Sequence, residues 1–156
     1  MKVSIVVVGR VKGPLADGVA DYEARAARYW KLDVVEVASG AARGREDPEA
    51  VRAAEAERIL ARVGDRAEVV ALTREGTPSG SRGLSAYLSE LALHSSDVAF
   101  VIGGAWGLGE PVLQRAARTL TLSSMTLPHE VARLVLSEQL YRAGTILRGE
   151  PYHKGP

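Results

Sequence analysis

The stretch "VAFVIGGAWGLGEP", residues 98–111, joins a buried strand to a glycine-rich turn and decides the fold class. Residues 98–102 are all apolar, as is typical of a parallel strand that is buried on both faces. Glycines at the carboxyl end of such a strand allow backbone N–H groups to approach a ligand closely. The stretch therefore predicts a ligand site at a sheet edge, although the same glycines would also suit a tight structural turn. The glycines are Gly103, Gly104, Gly107 and Gly109.

Working outward, short apolar runs rich in β-branched residues alternate with helix-like stretches along the whole chain. A helix is predicted to begin cleanly where Asp47 acts as N-cap and Pro48 takes the first helical position. Strands that alternate with helices indicate right-handed βαβ units and a mainly parallel sheet covered on both faces, which is an α/β fold. The predicted strands are 3–9, 32–38, 67–73, 98–104 and 119–123, and the other predicted helices are 14–29, 82–94, 110–118 and 129–147.

Composition limits the class of protein further. The 156 residues, 46% hydrophobic and 25% charged, suit one folded domain. The chain has no cysteine, which excludes disulfide bonds, thiolate zinc sites and a cysteine nucleophile. Three histidines without metal-ligand spacing predict no metal site, and apolar runs of strand length predict no signal peptide and no membrane segment. A net charge of +1 means that RNA would be bound through a local patch, or by a dimer on a structured target.

Two other loops are predicted to meet the glycine turn. The segments "ALTREGTPSGS" (71–81) and "LSSMTLPHE" (122–130) each follow an apolar strand, the first as a long loop rich in glycine, proline and serine. Three loops on one sheet edge predict a pocket for a small ligand with an apolar and a polar part. The glycine spacing GGxxGxG matches neither the dinucleotide fingerprint nor the P-loop, so a conventional nucleotide polyphosphate site is not indicated.

The helix predicted over 129–147 is apolar over more than one stripe. Such a helix either packs deep in the core or presents a second apolar surface for self-association, and the sequence leaves both alternatives open. On its polar side, Arg142 follows Glu138 by four residues, which is the spacing of an ordinary helical ion pair. The apolar residues are Val131, Leu134, Val135, Leu136, Leu140, Tyr141, Ile146 and Leu147.

The run from "FVIGGAWGL" through "LSSMTLPHEVARLVLSEQLYRAGTILRGEPYHK" closely resembles the bacterial 23S ribosomal RNA pseudouridine N3-methyltransferases, which are SPOUT-class enzymes. The resemblance extends to "VSIVVVGRVK", to "VVALTREG" and to the total length, so it covers essentially the whole chain. The combination of IGGxxGL, SxMTxPH, EQxYRA and a terminal YHK is highly specific. Ala105 and Trp106 depart from the family pattern at two positions that look variable.

The resemblance implies a parallel sheet with a C-terminal deep trefoil knot, S-adenosylmethionine as methyl donor, and a cytoplasmic homodimer that methylates N3 of a pseudouridine in 23S rRNA of assembled ribosomes. One subunit would supply the donor site and the other a tail or helix face. A SPOUT enzyme with another RNA target and a non-enzymatic ribosome-binding module are the competing hypotheses. Donor-binding positions carried over from the family are Leu72, Gly103, Gly104, Leu122, Ser123, Ser124, Met125, Thr126 and Leu127.

The same resemblance makes the tail "RGEPYHKGP" (148–156) the acceptor side of the site, with Tyr152, His153 and Lys154, and extends it to Arg142 on the last helix. The N3 of pseudouridine is a poor nucleophile until its proton leaves, so a base or a cationic group is needed. His153 is the candidate base, with a phosphate contact and a lid as alternatives. From the residues alone, a histidine so near a chain terminus would be an exposed side chain without function.

Other polar residues have simpler expected roles. His129 at a helix start is expected to form a structural hydrogen bond, and His94 at a helix end is expected to be solvated. Arg43 and Arg45 lie on a glycine-containing loop that would either grip phosphates or simply be mobile. Trp106 is expected to be partly exposed or packed against a subunit rather than to cover the pocket.

Overall fold

The computed structural model describes residues 1–41 and 47–156, and its centre is one five-stranded parallel sheet. The strand order is β2-β1-β4-β3-β5, so the strand before the glycine turn lies in the middle. All four neighbouring pairs are parallel, which confirms the predicted α/β class. The strands are β1 Lys2–Val8, β2 Lys31–Val37, β3 Glu68–Pro78, β4 Val98–Ile102 and β5 Arg118–Thr121.

Within the described residues, four α-helices connect successive strands and a fifth follows the last strand. The predicted start of the second helix is confirmed, because the Asp47 carboxylate accepts a hydrogen bond from the Glu49 N–H at 3.2 Å. The fourth helix is shorter than predicted, since the Ala117 N–H donates to the Val69 carbonyl at 2.8 Å and the chain joins the sheet there. The helices are α1 Ala16–Ala26, preceded by a 3-10 turn Gly13–Leu15, α2 Pro48–Leu60, α3 Ser81–Leu93, α4 Glu110–Arg115 and α5 His129–Leu147.

Two apolar clusters cover the two faces of the sheet, as predicted. Phe100 on one face of β4 is fully buried with Leu88 of α3 and Leu136 of α5. Val101 on the opposite face is fully buried with Ile59 of α2 and Val112 of α4. Because β4 is buried on both faces, its carboxyl end is held rigidly, and the glycine turn that follows starts from a fixed point.

The predicted loop at 71–81 is wrong in its first part, because β3 continues to Pro78. The strand pairs with β5 twice: Leu72 and Thr77 both align with Leu120, and the residues between them form an irregularity. Gly76 makes this possible, since a Cβ at this position would lie 2.6 Å from the Leu120 carbonyl carbon. The composition indicates a loop, but tertiary pairing with β5 extends the strand.

Helix α5 packs on α1 and α3 and is fixed by polar contacts at two places along its length. Arg133, whose side chain is only 9% exposed, pairs with Glu23 of α1 at 2.6 Å and with Glu36 of β2 at 3.5 Å. Further along, the buried Trp30 indole N–H donates to the Leu140 carbonyl at 2.8 Å. These contacts set the direction of α5 against the rest of the chain.

The burial of α5 bears on the two alternatives for its broad apolar surface. Of the predicted apolar residues, only Leu136 and Leu140 are buried. Leu147 is 45% exposed, and the others are half-buried. Packing in the core therefore accounts for one face of α5 and leaves a second apolar face partly open.

No helix of the described ranges is both long and apolar enough to cross a membrane. The trefoil knot stays a prediction.

Candidate active site

A cleft of about 940 Å³ lies at the carboxyl ends of β4 and β5 and beside the irregularity of β3 between Leu72 and Thr77. The three strands are neighbours in the sheet and parallel, so these segments meet at one edge. The volume lies within the range of about 300–1,000 Å³ that ligand pockets occupy. The structure therefore brings together the three predicted segments. Except for the exposed Ser124, all the predicted donor-binding residues line the cleft: Leu72, Gly103, Gly104, Leu122, Ser123, Met125, Thr126 and Leu127.

The glycine turn after β4 has little room for side chains. A Cβ at Gly103 would lie 2.8 Å from the Gly107 carbonyl carbon, and one at Gly104 would lie 2.8 Å from the Glu55 carboxylate. The Gly107 N–H donates to the Gly104 carbonyl at 3.1 Å, and Gly107 has a φ of +79°. The two interpretations of the glycines are thus compatible, because a tight turn is what presents the backbone to the cleft.

The cleft walls combine apolar side chains with hydroxyl groups. Apolar surface comes from Leu72 within β3, from Ile102 at the end of β4 and from Leu122 just after β5. The loop after β5 is held by its own hydrogen bonds: the Thr121 hydroxyl donates to the Ser123 carbonyl at 2.8 Å, and the Ser123 hydroxyl accepts from the Met125 N–H at 3.0 Å. Such a cleft suits a ligand with a flat apolar part and several polar groups.

His129 lies at the start of α5 and lines the same cleft. Its Nε2 is 3.1 Å from the Arg10 carbonyl, and because a carbonyl only accepts, Nε2 carries the proton. The neighbouring Gly9 has a φ of +92°, and a Cβ there would lie 3.0 Å from the His129 ring. The predicted structural hydrogen bond is confirmed. The sequence did not predict that this ring would also line the cleft.

The tail forms a second polar cluster around Glu138 of α5. One Glu138 oxygen accepts hydrogen bonds from the Tyr152 hydroxyl at 2.9 Å and from Arg142 Nε at 3.0 Å. Arg142 Nη1 lies 3.2 Å from His153 Nδ1. Because a guanidinium only donates, Nδ1 accepts and the proton of the neutral ring lies on Nε2. The Nε2 contact with the Pro156 carbonyl at 3.2 Å agrees with this tautomer.

The electrostatics of this tail cluster favour Tyr152 as a donor. Burial raises the pKa of the Tyr152 hydroxyl above its ordinary value, and hydrogen bonds with Tyr22 and Glu138 add to the shift. Tyr152 therefore stays protonated at neutral pH. The hydrogen bond from Arg142 to Glu138 raises the pKa of Arg142, so its charge is permanent. Tyr152 and His153 are half-buried, whereas Lys154 is exposed.

The cleft and the tail cluster lie at opposite ends of α5. His129 and Ala132 line the cleft, whereas none of the predicted acceptor residues does. Arg142 lies 13 residues beyond His129 on the helix, and at about 1.5 Å per residue this is about 20 Å. The structure thus brings the donor-binding residues together and the acceptor residues together, but it does not bring the two groups to each other within one chain.

Some functional features were not predicted from the sequence. Glu138 was expected to pair only with Arg142, but it also anchors the tail. Glu55 is 2% exposed and lies directly against Gly104, and its Oε1 has no hydrogen-bond partner among the described residues. The loop of Arg43 and Arg45 lies outside the described residues. Within the described part of the chain, no three acidic or histidine side chains form a cluster able to hold a metal ion.

Comparisons with known proteins identify the family. The model of the family described as "Predicted SPOUT methyltransferase" matches residues 1–153. The chain is 52% identical to the ribosomal RNA large subunit methyltransferase H of Gemmatimonas aurantiaca, over 99% of this chain and 100% of that protein. It is 43% identical to the protein of the same name from Bacillus pumilus, again over 99% and 100%. The chain belongs to the SPOUT methyltransferase family.

A solved structure agrees in fold. The putative methylase family protein of Neisseria gonorrhoeae superposes with a TM-score of 0.54, at 16% sequence identity, over 99% of this chain and 87% of that one.

The protein is therefore a methyltransferase that uses S-adenosylmethionine, and the cleft fits this donor. The leucine side chains suit the purine, while the turn N–H groups and the Ser123 and Thr126 hydroxyls suit polar groups of the nucleoside. The lack of side chains at Gly103 and Gly104 lets the turn close against Gly107 and Glu55, and this tight turn brings its backbone to the cleft.

Proposed function

We propose that this chain methylates N3 of a pseudouridine in the 23S rRNA of assembled ribosomes. The observation that carries the proposal is the pairing of a donor cleft with a separate, ordered tail cluster of Arg142, Tyr152 and His153. The full-length similarity to proteins named ribosomal RNA large subunit methyltransferase H supports the substrate class. Ribosomes carry out their work in the cytoplasm, so the proposal implies a cytoplasmic enzyme.

The active enzyme in this proposal is a homodimer in which the tail of one subunit completes the donor cleft of the other. Two features support it. The tail cluster is about 20 Å along α5 from the cleft of its own chain. The second apolar face of α5 is partly open, and a symmetric contact between two copies would bury it.

S-adenosylmethionine supplies an electrophilic methyl group. The task of the cleft is to hold the donor and to exclude water, while the tail orients the acceptor base. Arg142 donates to His153 Nδ1, so the ring proton lies on Nε2, which donates to the Pro156 carbonyl. Release of the Pro156 contact would free the Nε2–H to stabilise the negative charge that develops on the imide once its proton has passed to water. For His153 to act as the base, its contacts would have to rearrange. Lys154, exposed at the tail, is placed to meet a phosphate.

The donor and the substrate are tested separately. Calorimetric titration with S-adenosylmethionine is expected to show stoichiometric binding, and no binding would remove the enzyme hypothesis in favour of a ribosome-binding module. Ribosomes that lack the methyl group are then incubated with labelled donor, and digested rRNA is examined by mass spectrometry. Label on a nucleotide other than a pseudouridine of 23S rRNA would assign the enzyme to another RNA target.

Substitution of His153 separates its possible roles. His153→Ala is expected to lower kcat by about 10²–10³-fold, as loss of one oriented donor does, with unchanged affinity for S-adenosylmethionine. His153→Gln places an amide N–H near the position of Nε2 and is expected to keep much of the activity. If the Gln and Ala variants are equally inactive, His153 accepts the proton instead of donating a hydrogen bond. An equal loss of turnover and donor affinity would make it part of the donor site.

A further inference from the structure

Trp106 is an exposed aromatic residue at the rim of the cleft that the proposed reaction does not use. Four large apolar side chains are conspicuously exposed in the described residues, namely Leu93, Trp106, Met125 and Leu147. Two of these, Trp106 at 42% exposure and Met125 at 75%, line the cleft from two different loops. Exposed apolar surface that converges on one cleft indicates a binding role more strongly than a scattered residue does.

The turn holds Trp106 at its tip. The hydrogen bond from the Gly107 N–H to the Gly104 carbonyl closes the turn on either side of Ala105 and Trp106. Arg52 Nη1 lies 3.5 Å from the Trp106 carbonyl and supports the turn from α2. The indole is therefore carried on a constrained backbone, although its own N–H makes no hydrogen bond to the described part of the chain.

Trp30 provides a contrast within the same chain. Its indole is 9% exposed and its N–H donates to the Leu140 carbonyl at 2.8 Å, as is usual for a tryptophan that serves packing. Trp106 has neither the burial nor the hydrogen bond. Packing within its own chain therefore does not explain why a tryptophan occupies position 106.

The charges near Trp106 favour a polyanionic partner. Arg52 and Arg74 both line the cleft, and the Arg74 side chain is 58% exposed. Among the described residues that line the cleft, Glu75 is the only acidic one, and its carboxylate lies 3.9 Å from Arg74, which is a weak contact at the surface. An exposed aromatic face beside arginine side chains is the arrangement that binds unpaired nucleobases and their phosphates.

We propose that Trp106 stacks on an unpaired nucleobase of the RNA substrate at the rim of the donor cleft, with Arg74 contacting the adjacent phosphate. This inference rests on the proposed function. The 42% exposure of its side chain at the rim assigns Trp106 to the RNA rather than to the purine of the methyl donor. Trp106 would then help to hold the acceptor strand while the tail orients the reacting base.

The test compares Trp106→Ala, Trp106→Tyr and Trp106→Phe with the wild type on ribosomes that lack the methyl group. Trp106→Ala is expected to raise the KM for ribosomes by about 5- to 150-fold, which is the range for loss of one base–aromatic stack. The aromatic replacements are expected to restore most of the affinity. Leu93→Ala, which removes an exposed apolar side chain outside the cleft, is the matched control and should leave the KM unchanged.

A second readout follows the indole directly. The chain has two tryptophans and Trp30 is buried, so emission that iodide quenches reports Trp106. Iodide is expected to quench this emission equally with and without S-adenosylhomocysteine, and equally across the protein concentrations over which the dimer forms. Protection by S-adenosylhomocysteine would place Trp106 on the donor, and protection by dimerisation would place it against the second copy. Either result would overturn the inference.

The kinetic outcomes also separate this inference from the proposed function. If the wild type does not methylate the ribosomes, the proposed function fails and the inference fails with it. If the wild type is active and Trp106→Ala has the same KM, only the inference is overturned. A fall in kcat with an unchanged KM would likewise refute a stacking contact in substrate binding.

Discussion

The arrangement of the tail about 20 Å along α5 from its own cleft makes a strong prediction about mixed dimers. One subunit carries Gly103→Val, which removes donor binding because a side chain there meets the Gly107 backbone at 2.8 Å. The other subunit carries His153→Ala and keeps its cleft. If each site joins the cleft of one chain to the tail of the other, this mixed dimer contains one intact site and one site that is damaged twice.

The expected activity follows from the two-fold symmetry. A dimer has two equivalent sites, so the mixed dimer should keep about half of the wild-type kcat, whereas both homodimers of the variants are inactive. Mixed dimers are obtained by co-expression with two affinity tags and two purification steps, and methyl transfer to ribosomes is the assay. The subunit affinities and the thermal unfolding of each variant are measured first, so that loss of fold is not mistaken for loss of a site.

A second mixed dimer serves as the control, and its expected activity is the opposite of the first. A mixed dimer of a wild-type subunit and a subunit carrying both Gly103→Val and His153→Ala has each of its two sites damaged once, so it should be inactive. If sites are instead formed within single chains, this control keeps half of the activity and the first mixed dimer is inactive. That pair of results would refute the proposal that the tail acts on the other subunit.

Three further predictions concern stability. Burial raises the pKa of Glu55 in the folded chain. Between the ordinary glutamate pKa of about 4.3 and this raised pKa, the unfolded chain binds fewer protons than the folded chain, so the free energy of unfolding falls with rising pH. Glu55→Gln should remove this fall in urea titrations, and an unchanged slope would contradict it. Arg133→Met leaves Glu23 without its buried partner and should lower the free energy of unfolding by about 3–5 kcal/mol. A loss below about 1 kcal/mol would mean that the pair contributes no more than a solvent-exposed salt bridge. Gly144→Ala forces a Cβ into the Tyr29 ring. The overpacking cost of about 1–3 kcal/mol should exceed the helix-propensity gain of about 1 kcal/mol, so the variant should have a lower Tm. A higher Tm would refute this reasoning.

The sequence predicts the fold well where local pattern and tertiary packing agree. The α5 bounds, the Asp47 cap and the order of strands and helices follow from periodicity and capping residues. The prediction fails at β3, where glycine, proline and serine indicate a loop but pairing of Thr77 with Leu120 extends the strand. Pairing between residues more than 40 positions apart has no local pattern, so residue composition could not reveal it.

The same limit applies to the site. The edge of the sheet and the three loops follow from the strand pattern, and the resemblance assigns the residues on them. The sequence spacing indicates the pair of Glu138 and Arg142, but not that Tyr152 turns back to the same carboxylate. Nor does it indicate that Glu55 lies under Gly104, since α2 and the glycine turn meet only through the packed sheet. The sequence therefore did not predict the side-chain contacts between segments that are distant in the sequence and meet only in the folded chain.

If the tail contacts RNA as proposed, its order would let a chain of net charge +1 bind RNA. General attraction to phosphates grows with the number of cations, so this chain gains little from it. The free energy of RNA binding would then come from a few specific contacts. Each contact costs less conformational entropy when the groups that form it are already fixed before binding. Glu138 fixes Tyr152 and Arg142, and Arg142 fixes the His153 ring. Because these bonds exist before RNA binds, the entropy cost of ordering the tail would fall on folding, and the proposed reaction would need no separate RNA-binding domain.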